Sequence, residues 1–347
     1  MADLLSHLRQ WNAFDPHPMP ETLGELHVPF DDLYGDTRTE GRLVEALGRG
    51  ARVALIGSSG SGKSSVLAHA LLGSVGRFAA IAVPLSVTTN DSLSPSLVAD
   101  RLIREVAEAA HLAQAVSDTE REATHAGRAA ERPVRSGRNV TASLKWLGVE
   151  LALDLQRQTE VDVSVSAEEK LEVVDQVLGR ISREGLAPVI VFDDTDRWLP
   201  GVGYEDPARN VEAFFGRVVR WIGDLGFSVV VAVHDAYFTD VAPRAQLLDA
   251  LDTPIDVPRL PDEAALQAVL KRRLAHACVD SDYGAATLQD VFDDDAVAAL
   301  YHRYADDHLS VRAVVKPAHI AMIESADAGL SRISAAAVNS AIASERP

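Results

Sequence analysis

The chain has 347 residues, enough for a large and a small domain around a substantial core. Its formal charge of −18, from 51 acidic against 33 basic side chains, excludes a surface broadly coated for nucleic acid, so any contact with a phosphate backbone has to be local. The single cysteine, Cys278, excludes internal disulfides and cysteine-rich metal sites and fits a reducing compartment.

Met1–His7 has no basic segment followed by an apolar core, and no apolar run approaches the ~20 residues of a membrane span. A cytoplasmic protein without membrane contact is the expectation. Residues 1–36, with several prolines and the aromatics Trp11 and Phe14, read as an irregular lead-in with an amphipathic turn near Leu4–Leu8. From Thr37 to Gly48, apolar residues at helical spacing end in a glycine stop and predict a helix. Running directly into the following strand, such a helix can wall a purine pocket. Phe30 and Tyr34 either touch a base there or simply pack.

The apolar run Arg52–Ile56 leads into Gly57-Ser58-Ser59-Gly60-Ser61-Gly62-Lys63-Ser64 and then into the helical-looking Ser65–Leu72. The order is strand, glycine-rich turn, helix. A triphosphate needs a backbone that turns sharply and approaches closely, and Gly57, Gly60 and Gly62 allow both. Amides from Gly57 through Ser65 can then face the phosphates at a helix N-terminus, with Lys63 reaching the β and γ groups and the Ser64 hydroxyl on Mg²⁺. A flexible Gly/Ser linker is the alternative, but it gives no reason for Lys-Ser at that offset.

Phe78–Leu85 reads as a second buried strand, followed by a helix over about Leu93–Ala115. An insert of about 117–166 comes next. Within it Arg128, Arg132, Arg135, Arg138 and Lys145 cluster, with no acidic residue between Glu131 and Lys145. This is either a solvated loop or a basic loop aimed at nucleic acid or an acidic partner. Val161, Val163 and Val165 alternate as in a hairpin lying outside the main sheet.

Ala167–Arg183 returns to helical periodicity, and Pro188–Phe192 is a fully apolar strand ending in Asp193 and Asp194. In a parallel sheet beside the phosphate loop, Asp193 can hold Mg²⁺ through water and Asp194 can polarise an attacking water. An ordinary acidic turn is the alternative. Pro207–Leu225 predicts an amphipathic helix. Phe227–Val233 is another buried strand, and His234 at its C-terminal end is a candidate γ-phosphate sensor, or a simple cap, because open α/β sheets bind ligands at that edge. A short strand around Pro254–Val257 precedes a hinge at 258–261. Helical segments at about 261–278, 293–305, 310–328 and 332–344 complete a lid. The expected domains are therefore a lead-in of 1–36, a nucleotide-binding α/β domain of 37–257 and a helical lid of 258–347.

These features resemble the AAA+ ATPases, in particular the clade of archaeal and eukaryotic replication initiators and origin-recognition subunits, to which transposon target-selection ATPases are also similar. The marks are the phosphate loop, Asp193-Asp194-Thr195-Asp196, the strand ending at His234, Pro243-Arg244 before the last strand, and Leu309-Ser310-Val311-Arg312-Ala313-Val314 at the start of a lid helix. The resemblance implies a central five-stranded parallel sheet flanked by helices, with a small all-helical C-terminal lid. It also implies ATP as the nucleotide, and no guanine-reading Asn-Lys-x-Asp motif is present. Arg244 takes the place of the finger that reaches a neighbour's nucleotide, with Arg217 and Arg220 as alternatives, and Arg312 that of the lid arginine sensing γ-phosphate in cis. Asp194 replaces the usual glutamate, and His234 the usual asparagine. The implied function is an ATP-hydrolysing protein that assembles head to tail, as a ring or filament, and loads, remodels or regulates a partner, with DNA as a candidate site of action. The alternative is a slow nucleotide-dependent switch or scaffold for a separately encoded effector, for example in a bacterial defence system.

Overall fold

The computed structural model describes residues 2–35, 38–74, 77–82, 98, 101–103, 105, 167–183, 185–193, 195, 214–238, 249–306 and 310–344. The basic cluster from Arg128 to Lys145, the expected hairpin at 160–165, Asp194 and Arg244 lie outside the described residues. Two compact units divide the chain. One comprises Met1–Gly41, Gly57–Ala70 and Asp256–Pro347, and the other Arg42–Ile56 and Leu71–Ile255.

The second unit is built on a five-stranded sheet of β1 (Arg52–Ile56), β2 (Phe78–Ala82), β3 (Ala187–Phe192), β4 (Ser228–Val233) and β5 (Thr253–Asp256), in the order β2-β3-β4-β1-β5. The pairs β2–β3, β3–β4 and β4–β1 are parallel. Central β4, Ser-Val-Val-Val-Ala-Val, is buried at every residue, as expected for a parallel strand covered on both faces. The edge strand β2 instead exposes Ala80 and Ala82. A helix over Ala167–Arg183 buries Val174, Leu178 and Ile181, spaced at i, i+4 and i+7, in the core under the sheet. The helix expected over 207–225 is described from Phe214, where it opens as a π-helical turn through Val219 before an α-helical turn at Arg220–Gly223. The wider turn buries both Phe214 and Phe215, and the Phe214 ring meets Phe192 of β3 edge-on at 5.2 Å.

The first unit has its own core. Where an irregular lead-in is expected, Ala2–Gln10 forms a helix, α1, whose Leu4, Leu5 and Leu8 pack with Phe14 among the C-terminal helices. Leu4, Leu5 and Leu8 lie on one face at helical spacing, and that burial stabilises a helix too short to persist alone. The C-terminal helices run over Glu263–Ala277, Leu288–Val291, Asp294–Asp306, Val311–Asp327 and Ala335–Ser344. Asp262 caps the first by accepting from the Ala265 amide at 2.9 Å, and Ser310 caps the fourth through the Ala313 amide at 3.4 Å. Among the described residues no helix is long and apolar enough to cross a membrane.

Candidate functional site

Local backbone chemistry shapes the loop after β1. Gly60 and Gly62 have φ of +73° and +106°, a region L side chains rarely adopt. At Gly57 a Cβ would come within 2.5 Å of the Ser61 hydroxyl, so the missing side chain allows the loop to close on itself. Lys63 opens the helix Lys63–Leu72, and its buried ammonium donates to the carbonyls of Gly57 at 2.8 Å and Ser58 at 3.0 Å. The lysine is therefore folded into the concavity it borders. The Ser61 hydroxyl is buried with no hydrogen-bond partner among the described residues. A cradle of positive-φ glycines, an inward ammonium and an unpartnered hydroxyl fits a polyphosphate, which supplies oxygen acceptors to each.

The segment 310–312 meets the same loop. The Arg312 amide donates to the Gly60 carbonyl at 3.3 Å, and a Cβ on Gly60 would lie 2.6 Å from Arg312 Cβ and 2.7 Å from Ser310 Oγ. Arg312 itself is exposed. The N-terminus of Val311–Asp327, a seventeen-residue helix, thus abuts the phosphate loop and adds its positive end to that of the helix beginning at Lys63.

The sheet's C-terminal edge carries the other predicted residues. Ile56 of β1 registers with Val233 of β4, and Phe192 of β3 with Val231, so β1, β3 and β4 all end on this edge. Asp193, the residue after β3, is half-buried. Ser64 and Asp193 each carry an oxygen donor, the ligand type that Mg²⁺, a hard cation, prefers. Thr195 is held by two bonds the sequence did not reveal: its buried hydroxyl donates to the carbonyl of Ala232 of β4, and the buried Tyr237 hydroxyl donates to the Thr195 carbonyl. His234 follows β4, half-buried, with Nδ1 3.1 Å from the Ala236 amide and 2.9 Å from Asp235 Oδ1. Its ring thus caps the turn after the strand. Arg217 and Arg220 are exposed on the helical segment before β4, with Arg220 Nη2 3.9 Å from Asp249.

Two further residues escaped sequence reading altogether. His27 and Glu40, both buried, join at 2.7 Å, and His27 Nδ1 lies 3.2 Å from the hydroxyl of Ser65. Nothing in the sequence tied either His27 or Glu40 to Ser65.

Comparison with known proteins gives one family and one fold. The family model described as Novel STAND NTPase 1 matches residues 31–302. No curated protein matches the sequence significantly. Among solved structures, the Aeropyrum pernix Orc1 protein in complex with DNA is similar with a TM-score of 0.50 and 16% identity, over 92% of this chain and 66% of that one. The Aeropyrum pernix Orc2 protein in its ADPNP and ADP complexes gives a TM-score of 0.48 and 12% identity, over 96% of this chain and 71% of that one. This chain therefore spans about two thirds of the Orc1 chain's length. At such identity the similarity to Orc1 is one of fold, a five-stranded parallel sheet flanked by helices with a helical C-terminal region.

Proposed function

The chain belongs to the Novel STAND NTPase 1 family, and from that premise we propose that it is an ATP-driven switch that assembles head to tail and changes its hold on a partner with nucleotide state. The observation that carries this reading is the phosphate loop: positive-φ Gly60 and Gly62, Lys63 turned into the loop, and the lid residue Arg312 on its rim.

Each role follows from side-chain chemistry. The loop amides and Lys63 bind the β and γ phosphates. Ser64 and Asp193 would hold Mg²⁺, which when bound neutralises charge on the β and γ oxygens. Asp194 orients and polarises the attacking water. Arg312 senses γ-phosphate from the lid, and His234 does so from the end of β4. Arg244 of a neighbouring copy supplies a guanidinium to the growing charge, which makes the site intersubunit and the assembly heterologous, a ring or a filament. The basic residues Arg128, Arg132, Arg135, Arg138 and Lys145 are the candidate contact to DNA, since a protein of the same fold was solved with DNA.

A second reading is a slow switch that scaffolds a separately encoded effector. It is favoured by Asp194, whose carboxylate stands on a side chain one methylene shorter than the glutamate usual in the AAA+ ATPases it resembles and holds water less closely. Calorimetric titration of wild type and Lys63→Ala with ATP and GTP, with and without Mg²⁺, tests the shared premise. Magnesium-dependent ATP binding lost in Lys63→Ala is expected. A wild-type protein with no magnesium-dependent affinity for any nucleoside triphosphate overturns both readings. Turnover and mass of the assembly then separate them, since fast hydrolysis by an oligomer favours the first and ATP-dependent partner binding without turnover the second.

A further inference from the structure

His27 and Glu40 have no part in the roles assigned above, yet they are buried directly behind the phosphate loop's helix. One face of that helix, carrying Ser65 and His69 at i and i+4, is gripped by the segment 23–30. Ser65 Oγ donates to the Leu23 carbonyl at 3.1 Å, His69 Nδ1 lies 3.4 Å from the Gly24 carbonyl, and the His27 and His69 rings stand 4.8 Å apart. On its far side Glu40 Oε1 takes His27 Nε2 at 2.7 Å and the Phe30 amide at 2.9 Å. We propose that the His27–Glu40 pair is a positioning device for the nucleotide site, setting the first turn of the helix so that Lys63 and Ser64 meet phosphate and magnesium. The inference deepens the nucleotide reading and rests on it.

The Ser65 hydroxyl donates to the Leu23 carbonyl, and its oxygen lies 3.2 Å from His27 Nδ1. Burial alone would raise the Glu40 carboxyl, but the hydrogen bonds from His27 and the Phe30 amide outweigh it and hold the group below its ordinary range. Glu40 Oε1 is the acceptor for His27 Nε2. His27 is thus held between a carboxylate and a hydroxyl. The second carboxylate oxygen, Oε2, is buried with no hydrogen-bond partner among the described residues, so the charge of Glu40 is met through Oε1. A buried pair of this kind is sensitive to loss of one member, because the other is left as an uncompensated charge. Ser65 follows Ser64 directly, so any shift in its anchor moves the proposed magnesium ligand.

The experiment uses the full chain. Calorimetric titration with Mg·ATP is run on wild type, Glu40→Gln, His27→Gln, Ser65→Ala and the Glu40→Gln/Ser65→Ala double variant. ¹⁵N imidazole spectra are recorded alongside, with the His27 resonance assigned by its loss in His27→Gln. Expected are about tenfold weaker binding in Glu40→Gln, which corresponds to about 1.4 kcal/mol, a smaller loss in Ser65→Ala, and a double variant no weaker than the worse single one, since both cut one linkage. The wild-type ring shows hydrogen on Nε2, and Glu40→Gln shifts that resonance. A support that merely stabilised the fold would lower the melting temperature without moving the ATP affinity of the variants that remain folded. Wild-type affinity in both Glu40→Gln and Ser65→Ala, or a wild-type His27 ring without hydrogen on Nε2, overturns the proposal. Should Glu40→Gln not fold, Ser65→Ala and the wild-type spectrum decide it alone. A wild type that binds no nucleotide overturns the broader reading instead, and the ring spectrum still tells whether the linkage exists.

Discussion

Gly60→Ala separates two costs that a single substitution usually confounds. Gly60 has φ of +73°, and Gly35 has φ of +75°, so an alanine at either pays the same backbone penalty, about 1–2 kcal/mol. Their surroundings differ. A Cβ at Gly35 meets nothing within 4 Å, whereas one at Gly60 meets Arg312 Cβ at 2.6 Å and Ser310 Oγ at 2.7 Å. Neither partner is the free end of a flexible chain, since Cβ is fixed to the backbone and Ser310 caps its helix. Forced overpacking of this kind adds about 1–3 kcal/mol. Gly35→Ala should therefore lose about 1–2 kcal/mol, and Gly60→Ala about 2–5 kcal/mol. Urea unfolding with unchanged slope measures both differences. The excess in Gly60→Ala should be accompanied by weaker ATP binding, because the lid segment is pushed off the loop, while Gly35→Ala leaves ATP binding unchanged. Equal losses in the two variants would refute the contact between Gly60 and residues 310–312.

Turnover, acid stability and salt dependence test the remaining roles. Asp194→Glu should raise ATP turnover, and Arg244→Ala should lower it by about 10³-fold or more with activity returning in mixtures with Asp194→Asn; steady-state hydrolysis checks both, and an unmixed Arg244→Ala at wild-type rate removes the finger. Glu40 lies below its ordinary range in the folded protein, so its contribution is fully present above the unfolded carboxylate value of about 4.3 and is lost as pH falls below that toward the folded value. Unfolding free energy measured from pH 6 to 3 should thus fall less steeply in Glu40→Gln than in wild type, and parallel curves would contradict it. Replacing Arg128, Arg132, Arg135, Arg138 and Lys145 should flatten the salt dependence of DNA binding by about 0.9 in log–log slope for each phosphate contact removed. An unchanged slope disposes of that contact.

What the sequence discloses here depends on whether the information is carried by residue identity or by distance. The phosphate loop is legible because only glycine tolerates the φ of Gly60 and Gly62, and because Lys63 and Ser64 sit at an offset that a linker has no cause to keep. The strands are legible because a parallel sheet covered on both faces needs unbroken apolar runs such as Val229–Val233. The helix Ala2–Gln10 is not, since its stability comes from burying Leu4, Leu5 and Leu8 against residues more than 250 positions away. Thr195 and Tyr237 are hidden for another reason: they bond to backbone carbonyls, and a carbonyl leaves no mark in the sequence.

The linkage from Glu40 through His27 to Ser65 combines both difficulties, and this is why it carries functional weight. A buried imidazole bonded on both sides is costly to assemble by chance, because each partner has to be placed to within a few tenths of an ångström while desolvated. Nothing in the local sequence of 27, 40 or 65 requires that placement. The fold makes it by laying residues 23–30 and Glu40 against the face of the helix that carries Ser65 and His69. The side of the helix that binds the ligand and the side that is held in place are thus one turn of one element, so whatever displaces the N-terminal segment also displaces Lys63 and Ser64. A partner that grips residues 23–40 would by that route alter nucleotide affinity without touching the nucleotide.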